Sequence, residues 1–253
     1  TKAHRDKVAS YLDVEDGDLR AELERLAEVL STPAAGSTDA ATQRGGGWSR
    51  LTESFERAAA SDADDVVRRE ILSALGRIYD QKLDDPRRAL DAYRRLSELD
   101  PTDAEPLEAM DTLAVLLADW PALISVLEKK SGIASDDENA SIWRRIAETK
   151  MDMLDDQNGA IAAYERALEL SPDSKTTVDA LIDLYEPRNE AKRLVELYQR
   201  RVELSDPTDP DDLELRYQLN LSAAARYEKD LSDPREAINV LCLALEAKPG
   251  DGA

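Results

Sequence analysis

Cysteine, histidine and phenylalanine each occur once in the 253 residues. One cysteine, Cys242, excludes an intrachain disulfide and any zinc site built from several thiolates. Its setting, Asn239-Val240-Leu241-Cys242-Leu243-Ala244, predicts a buried, inert core thiol. The single histidine, His4, lies at one end of the sequence without a partner, which excludes a histidine-based nucleophilic triad and a Cys/His metal centre. Long apolar runs are also missing. The longest aliphatic stretch, from Leu113 to Ala118, is bounded by Asp111 and Asp119 and is far too short to cross a bilayer. Basic residues are in deficit, 33 against 54 acidic ones, for a net charge of −21. That argues against nucleic acid and anionic membrane surfaces. It keeps an extended surface soluble and permits a basic protein partner. No signal-like apolar stretch follows Thr1, which favours the cytoplasm; the absence of an initiator Met suggests a fragment and leaves the periplasm open.

What the sequence does have is charge, at 34%, on an alanine- and leucine-rich background with 42% apolar residues. That composition belongs to long helices and helical arrays, with enough apolar surface for a continuous core. It also has a repeated phrase. Leu83-Asp84-Asp85-Pro86-Arg87-Arg88-Ala89-Leu90 leads to Leu99-Asp100-Pro101. Leu154-Asp155-Asp156-Gln157-Asn158-Gly159-Ala160-Ile161 leads to Leu170-Ser171-Pro172, and Leu231-Ser232-Asp233-Pro234-Arg235-Glu236-Ala237-Ile238 leads to Ala247-Lys248-Pro249. Periodicity on this scale marks a stacked repeat architecture.

Each repeat reads as a helical hairpin. In 69–103, Leu72, Leu75, Gly76 and Tyr79 form one stripe, and Ala89, Leu90, Tyr93 and Leu96 form a second, both at three-and-four spacing. Between them Asp85 suits an N-cap and Pro86 the first helical turn. Further hairpins are expected over 104–137, 140–174, 175–208 and 217–251, with 205–212 as an extended connector. The motif Trp48-Ser49-Arg50-Leu51 echoes Trp120-Pro121-Ala122-Leu123, so a sixth hairpin is expected over 16–68, its first helix running from Leu19 to Leu30. Residues 31–47, rich in Gly, Ala, Ser and Thr, interrupt it and are expected to be a flexible loop. The run Gly45-Gly46-Gly47 lacks the Gly-Lys-Ser/Thr ending and the preceding strand of a phosphate loop. Residues 1–15 read as the tail of an earlier repeat, which predicts a longer parent array.

These units resemble the tetratricopeptide repeat, a helix-turn-helix of about 34 residues. Leu72, Leu75, Gly76, Tyr79, Ala89, Tyr93 and Pro101 fill that family's slots in one hairpin, and Trp143, Ile146, Ala147, Ala160, Tyr164, Ala167 and Pro172 fill them in another. There are departures. Asp111 and Ile182 stand where the family has a small residue, and three hairpins carry one extra residue in the turn. The hairpins also alternate in kind: one kind turns at Leu83, Leu154 or Leu231, and the other opens its second helix at Trp48, Trp120 or Ala191. The true period is then a pair of hairpins, as in the 71 residues between Leu83 and Leu154. The resemblance implies an all-α fold, an α-solenoid of about six hairpins in a right-handed superhelix.

The chemistry of catalysis finds little support in these residues. Acidic pairs such as Asp64-Asp65, Asp84-Asp85, Asp136-Asp137, Asp155-Asp156 and Asp211-Asp212 fall at turns and helix starts, where carboxylates cap backbone amides and complement the helix dipole. None has the ligand spacing of a helix-loop-helix calcium site. Trp48, Trp120 and Trp143 occupy packing slots. No catalytic residue, cofactor or metal is expected. The resemblance implies a ligand-facing surface on the first helices, and there it places Glu105, Glu108, Glu148, Asp179, Asp183 and Glu186 among mostly acidic neighbours. The family's chaperone adaptors carry Lys, Arg and Asn at such positions, so that type of clamp is not expected. The expected function is a non-catalytic scaffold that holds a protein or peptide, basic or amphipathic, in an acidic concave groove. A regulatory segment of a larger enzyme or signalling protein, and a spacer in an envelope or motility assembly, remain as alternatives; oligomeric state is left open.

Overall fold

The computed structural model describes residues 40–60 and 64–247, and the expected helix 19–30 and tail 1–15 lie outside them. Among the described residues the chain is all-α, with eleven α-helices, one 3-10 turn and no strand. The helices are α1 (Ala40–Ala59), α2 (Asp65–Gln81), α3 (Pro86–Leu99), α4 (Ala104–Leu116), α5 (Trp120–Ser131), α6 (Asp136–Leu154), α7 (Gln157–Leu170), α8 (Lys175–Tyr185), α9 (Ala191–Glu203), α10 (Pro210–Lys229) and α11 (Pro234–Ala247). They divide between two compact units, Thr1–Ile133 and Ala134–Ala253.

In the first unit α1 packs on α2, α2 on α3, α3 on α4 and α4 on α5, which is the sequential stacking of a solenoid. Ile71, Leu72, Leu75 and Leu107 are almost fully buried in its core. Burial of each such side chain contributes about 1.5–3 kcal/mol. In the second unit the same order holds from α6 through α11, around Val178, Leu181, Leu194 and Leu197. The apolar stripes read from the sequence are therefore the surfaces that hold successive helices together.

All five turns inside the described hairpins share one backbone device. Asp84, Ala118, Asp155, Asn189 and Ser232 have φ between 50° and 54°, the left-handed region, and each is followed at once by the N-cap of the second helix. Four of those caps are aspartates. Asp85 accepts from the Arg88 amide at 3.1 Å, Asp119 from Ala122 at 3.1 Å, Asp156 from Gly159 at 2.9 Å and Asp233 from Glu236 at 3.2 Å. The two kinds of hairpin close differently. At the wider turns the N-cap amide donates to the carbonyl six residues back, as Asp85 does to Tyr79, Asp156 to Lys150 and Asp233 to Tyr227. At Ala118 the closure is tighter, with Asp119 donating to Ala114 five residues back and Ala118 to Val115, the Schellman pattern.

First-helix length alternates with turn type. α2, α6 and α10 have 17, 19 and 20 residues, whereas α4 and α8 have 13 and 11. This pairing of a long with a short hairpin is the physical content of the 71-residue period. It also moves three expected boundaries. The first helices begin at Asp65, Asp136 and Pro210, ahead of 69, 140 and 217: the latter two open on mostly polar residues, and the first on Val66 and Val67, of which Val66 is 58% exposed and off the buried stripe. Residues 210–212 are thus helical, capped by Asp209 through the Asp211 amide at 2.9 Å, and the connector shrinks to 205–209.

Two further expectations change. α1 takes in residues 40–47, part of the span 31–47 that the sequence predicts to be a flexible loop; residues 31–39 lie outside the described residues. Glycine costs a helix about 1 kcal/mol per residue. Here the helix is anchored further along by Leu51 and Phe55, both buried against the core, so helix propagation from that anchor reaches the glycine run. Cys242 is exposed, not buried. It lies on an α11 stripe with Ile238, Leu241 and Leu245, 61%, 42% and 46% exposed, while Ala237, Val240 and Ala244 form the buried face. An apolar run marks both faces of such a helix alike, which is why the sequence misassigned the thiol.

Ala118 has neither the freedom of glycine nor a side chain able to bond its own backbone in the left-handed region, where an ordinary L-residue costs roughly 1–2 kcal/mol. Ala118→Gly is expected to stabilise the chain by about 0.5 kcal/mol after glycine's larger chain entropy is deducted. Asp119→Ala is expected to destabilise it by about 0.5–2 kcal/mol. Urea unfolding of both variants checks the pair, and a lower midpoint for Ala118→Gly would contradict the turn assignment. Cys242 is expected to react with a maleimide in the native protein as fast as in urea, a rate comparison that a buried thiol would fail.

Candidate functional site

The ligand-facing positions expected on the first helices are set by what the opposite faces bury. On α4, Leu107, Met110 and Ala114 point into the core, and Glu105, Glu108 and Thr112 are exposed. On α8, Val178, Leu181 and Ile182 are buried, and Asp179 and Asp183 are exposed. Glu148 on α6 and Glu186 at the 3-10 turn are exposed as well. All six expected acids thus reach solvent. Glu105 and Glu108 belong to the first unit, and Glu148, Asp179, Asp183 and Glu186 to the second.

Three of the six are engaged within the chain. Glu108 pairs with Lys130 of α5 at 2.8 Å. Asp179 accepts from Nε of Arg201 on α9 at 2.8 Å. Glu186 accepts from the Tyr198 hydroxyl at 3.0 Å, and burial followed by that bond raises the Tyr198 pKa to about 12. Glu105, Glu148 and Asp183 have no ion pair among the described residues.

The cations come from second helices, where the sequence gave no reason to look. Arg201 is 8% exposed and also bonds Ser205 Oγ at 3.2 Å, with Asp212 of α10 at 4.0 Å. Lys130 reaches Asp111 at 3.2 Å as well as Glu108. Burial opposes the Lys130 charge, and the bonds to Glu108 and Asp111 outweigh it and raise its pKa. This explains a departure from the repeat pattern. Asp111, which replaces a small residue, is 7% exposed and is matched by a cation. Its position in a small-residue slot was the one sequence signal that could have located Lys130.

Hydroxyls reinforce the joins between hairpins. Tyr79 ends the core stripe of α2 and donates to Glu56 of α1 at 3.2 Å, and Arg95 of α3 grips the same carboxylate at 2.7 Å. In the second unit Tyr185 donates to Glu165 at 3.0 Å, and Arg193 binds both oxygens of that carboxylate. Tyr227 takes a bond from Gln199 at 3.2 Å. Each join ties a first helix to the second helix before it. Glu56 and Glu165 are therefore structural, not ligand-facing.

The first unit also holds a depression of about 80 Å³ lined by Arg69, Glu70, Ser73, Tyr93, Leu96, Asp103, Glu105 and Pro106. It lies where α2, α3 and the start of α4 meet. Glu70, Ser73 and Glu105 are ligand-facing positions by the repeat pattern, so the depression is part of the expected surface. Arg69 is taken up by Asp100 at 3.1 Å and Asp103 at 3.5 Å. Burial, then the charge of Asp80, raises the pKa of Tyr93; nearby Arg77 opposes this and Glu105 adds to it. In the second unit Tyr164 is raised in the same way, by burial first and then by Glu148 and Asp152. The described residues contain no cluster of His, Cys, Asp and Glu able to hold a metal ion, and no helix long and apolar enough to cross a membrane.

Models of the tetratricopeptide repeat match residues 71–107 and 152–174. The first match spans α3 with parts of α2 and α4, and the second the end of α6 with α7. No curated protein matches the chain in sequence. Among solved structures, the MamA protein is 20% identical, over 72% of this chain and 92% of that one, with a TM-score of 0.37. YrrB, described as a TPR protein with an unusual peptide-binding site, is 15% identical over 79% and 95%, with a TM-score of 0.37. PilF of Pseudomonas aeruginosa is 14% identical over 92% and 95%, also at 0.37. The repeat matches, not these likenesses, carry the family assignment.

Replacing Asp111 by alanine leaves Lys130 half-paired in a largely buried setting and is expected to destabilise the chain by about 1–3 kcal/mol. Asp111→Ala with Lys130→Met restores the small-residue slot and an apolar contact. Its urea midpoint is expected to lie close to that of the unaltered chain. A double variant no more stable than Asp111→Ala would mean that the ion pair does not account for the buried acid.

Proposed function

We propose that this chain, which belongs to the tetratricopeptide-repeat proteins, is a non-catalytic interaction scaffold whose first-helix faces hold a basic or amphipathic protein segment. The observation that supports the reading is that Glu105, Glu148 and Asp183, at positions the repeat pattern makes ligand-facing, stand exposed on first helices without an ion pair among the described residues. A surface of that kind, on a chain of net charge −21, attracts cations over several ångströms and favours a partner of opposite sign. Glu108, Asp179 and Glu186 contribute less than the sequence pattern implies, since Lys130, Arg201 and Tyr198 already use them. Glu70 and Asp80 of α2 and Asp152 of α6 extend the acidic surface in their place.

The test uses a labelled peptide alternating leucine with arginine, and the same peptide with glutamate for arginine. The arginine peptide is expected to bind, more weakly as salt rises, and the glutamate peptide not to bind. Two charge reversals separate the units: Glu70→Lys with Glu105→Lys, and Glu148→Lys with Asp183→Lys. At least one pair is expected to lower affinity on the order of ten-fold, as two to three lost exposed charge contacts would. Equal affinity for both peptides, or reversals without effect in correctly folded chains, would refute the acidic surface as the binding determinant.

A further inference from the structure

We propose that Tyr93 forms the floor of a pocket that takes the cationic end of one arginine or lysine side chain from a bound peptide. The proposal rests on the acidic-surface reading and narrows it to a residue-scale site in the first unit. Tyr93 is 7% exposed, yet it lines the depression between α2 and α4. Its hydroxyl makes no hydrogen bond to any described residue. The other deeply buried tyrosine hydroxyls, those of Tyr79, Tyr185 and Tyr198, each donate to a glutamate. The side chain is more than nine-tenths buried but its oxygen is not sealed from solvent, so a ligand donor that displaces water there can make a direct hydrogen bond to it.

The local packing places that hydroxyl. A Cβ on Gly76 would come within 2.6 Å of the Tyr93 ring, so the absence of a side chain there lets the ring lie directly against α2. The walls then select the ligand. Arg69 is held by Asp100 and Asp103, and Asp103 also caps α4 through the Glu105 amide. Ser73 Oγ takes a bond from Arg77 at 3.2 Å. What remains free to meet a ligand is the Tyr93 oxygen and the carboxylates of Glu70 and Glu105, neither of which has an ion pair among the described residues. Two carboxylates beside an acceptor oxygen repel anions and favour a group rich in N–H donors and positive charge. Leu96 and Pro106 supply apolar wall for the aliphatic stem of such a side chain. At about 80 Å³ the depression is far smaller than a pocket for a whole small molecule and has room only for the end of one side chain, not a stretch of chain.

The full chain with 13C-labelled tyrosine rings is titrated with N-acetyl-arginine amide and, separately, with N-acetyl-citrulline amide, which has the same shape without the charge. The expected result is a saturable shift of the Tyr93 resonance with arginine and an affinity for citrulline lower by about ten-fold or more. Tyr93→Phe keeps the ring on Gly76 and removes only the oxygen. It is expected to retain the thermal midpoint and to weaken arginine binding, followed at the Glu105 amide, by a similar factor. No saturable shift, equal binding of citrulline, or undiminished binding by Tyr93→Phe would overturn the pocket. The leucine-arginine peptide distinguishes the two levels. If reversing Glu148 and Asp183 weakens it while Tyr93→Phe does not, the pocket fails and the acidic surface stands; if neither reversal pair nor Tyr93→Phe changes it, both fail.

Discussion

A helical hairpin of this kind depends on reversing the chain within a few residues while its freed amides and carbonyls still find partners. The structure meets that constraint in the same way five times, with a left-handed residue followed by an N-cap. The left-handed residue turns the chain and returns main-chain bonds to the helix just ended, and the cap opens the next one. None of the five is glycine. Asp, Asn and Ser reach the left-handed region with local side-chain support, and Ala118 does so without it. With the turn fixed, the relative orientation of the two helices follows, and the apolar stripes are brought face to face.

Most of the acidity of the chain is therefore put to structural use before any partner is met. Asp85, Asp119, Asp156 and Asp233 start helices. Glu56 and Glu165 join hairpins through a tyrosine and an arginine. Asp111 and Asp179 neutralise Lys130 and Arg201 in settings where an unpaired cation would be unfavourable. Among the acids left exposed, Glu105, Glu148 and Asp183 share the first-helix location on which the proposed recognition rests. Bulk charge governs solubility and the approach of a partner, whereas carboxylates fixed in place can discriminate between side chains.

The hairpins, their order and their turns were legible because each rests on local signals. Leu72, Leu75 and Tyr79 recur at helical spacing, and Asp85-Pro86 is a cap followed by a first-turn proline, readable without reference to anything distant. The helix starts at Asp136 and Pro210 were missed because exposed first turns need no apolar residue, and that at Asp65 because Val66 lies off the buried stripe. Cys242 was misplaced because Val240 and Leu241 are equally apolar, and only the packing of α11 decides that the first is buried and the second exposed. Helix α1 runs back through residues 40–47 against the local preference of its glycines, held by contacts further along.

The sequence by itself determined an all-α repeat and the hairpin turns with their capping aspartates. Those features follow from periodicity and from short-range capping, both of which act over a few residues. Only the tertiary structure decided which carboxylates remain available. Glu108 and Glu105 are one turn apart and alike in sequence terms, yet Lys130 reaches the first and no described cation pairs with the second. It alone also showed Tyr93 lying on Gly76 with its oxygen unpaired. Ion pairing and hydroxyl satisfaction depend on which helices pack together and at what register, a property of three-dimensional neighbours that spacing along the chain does not encode.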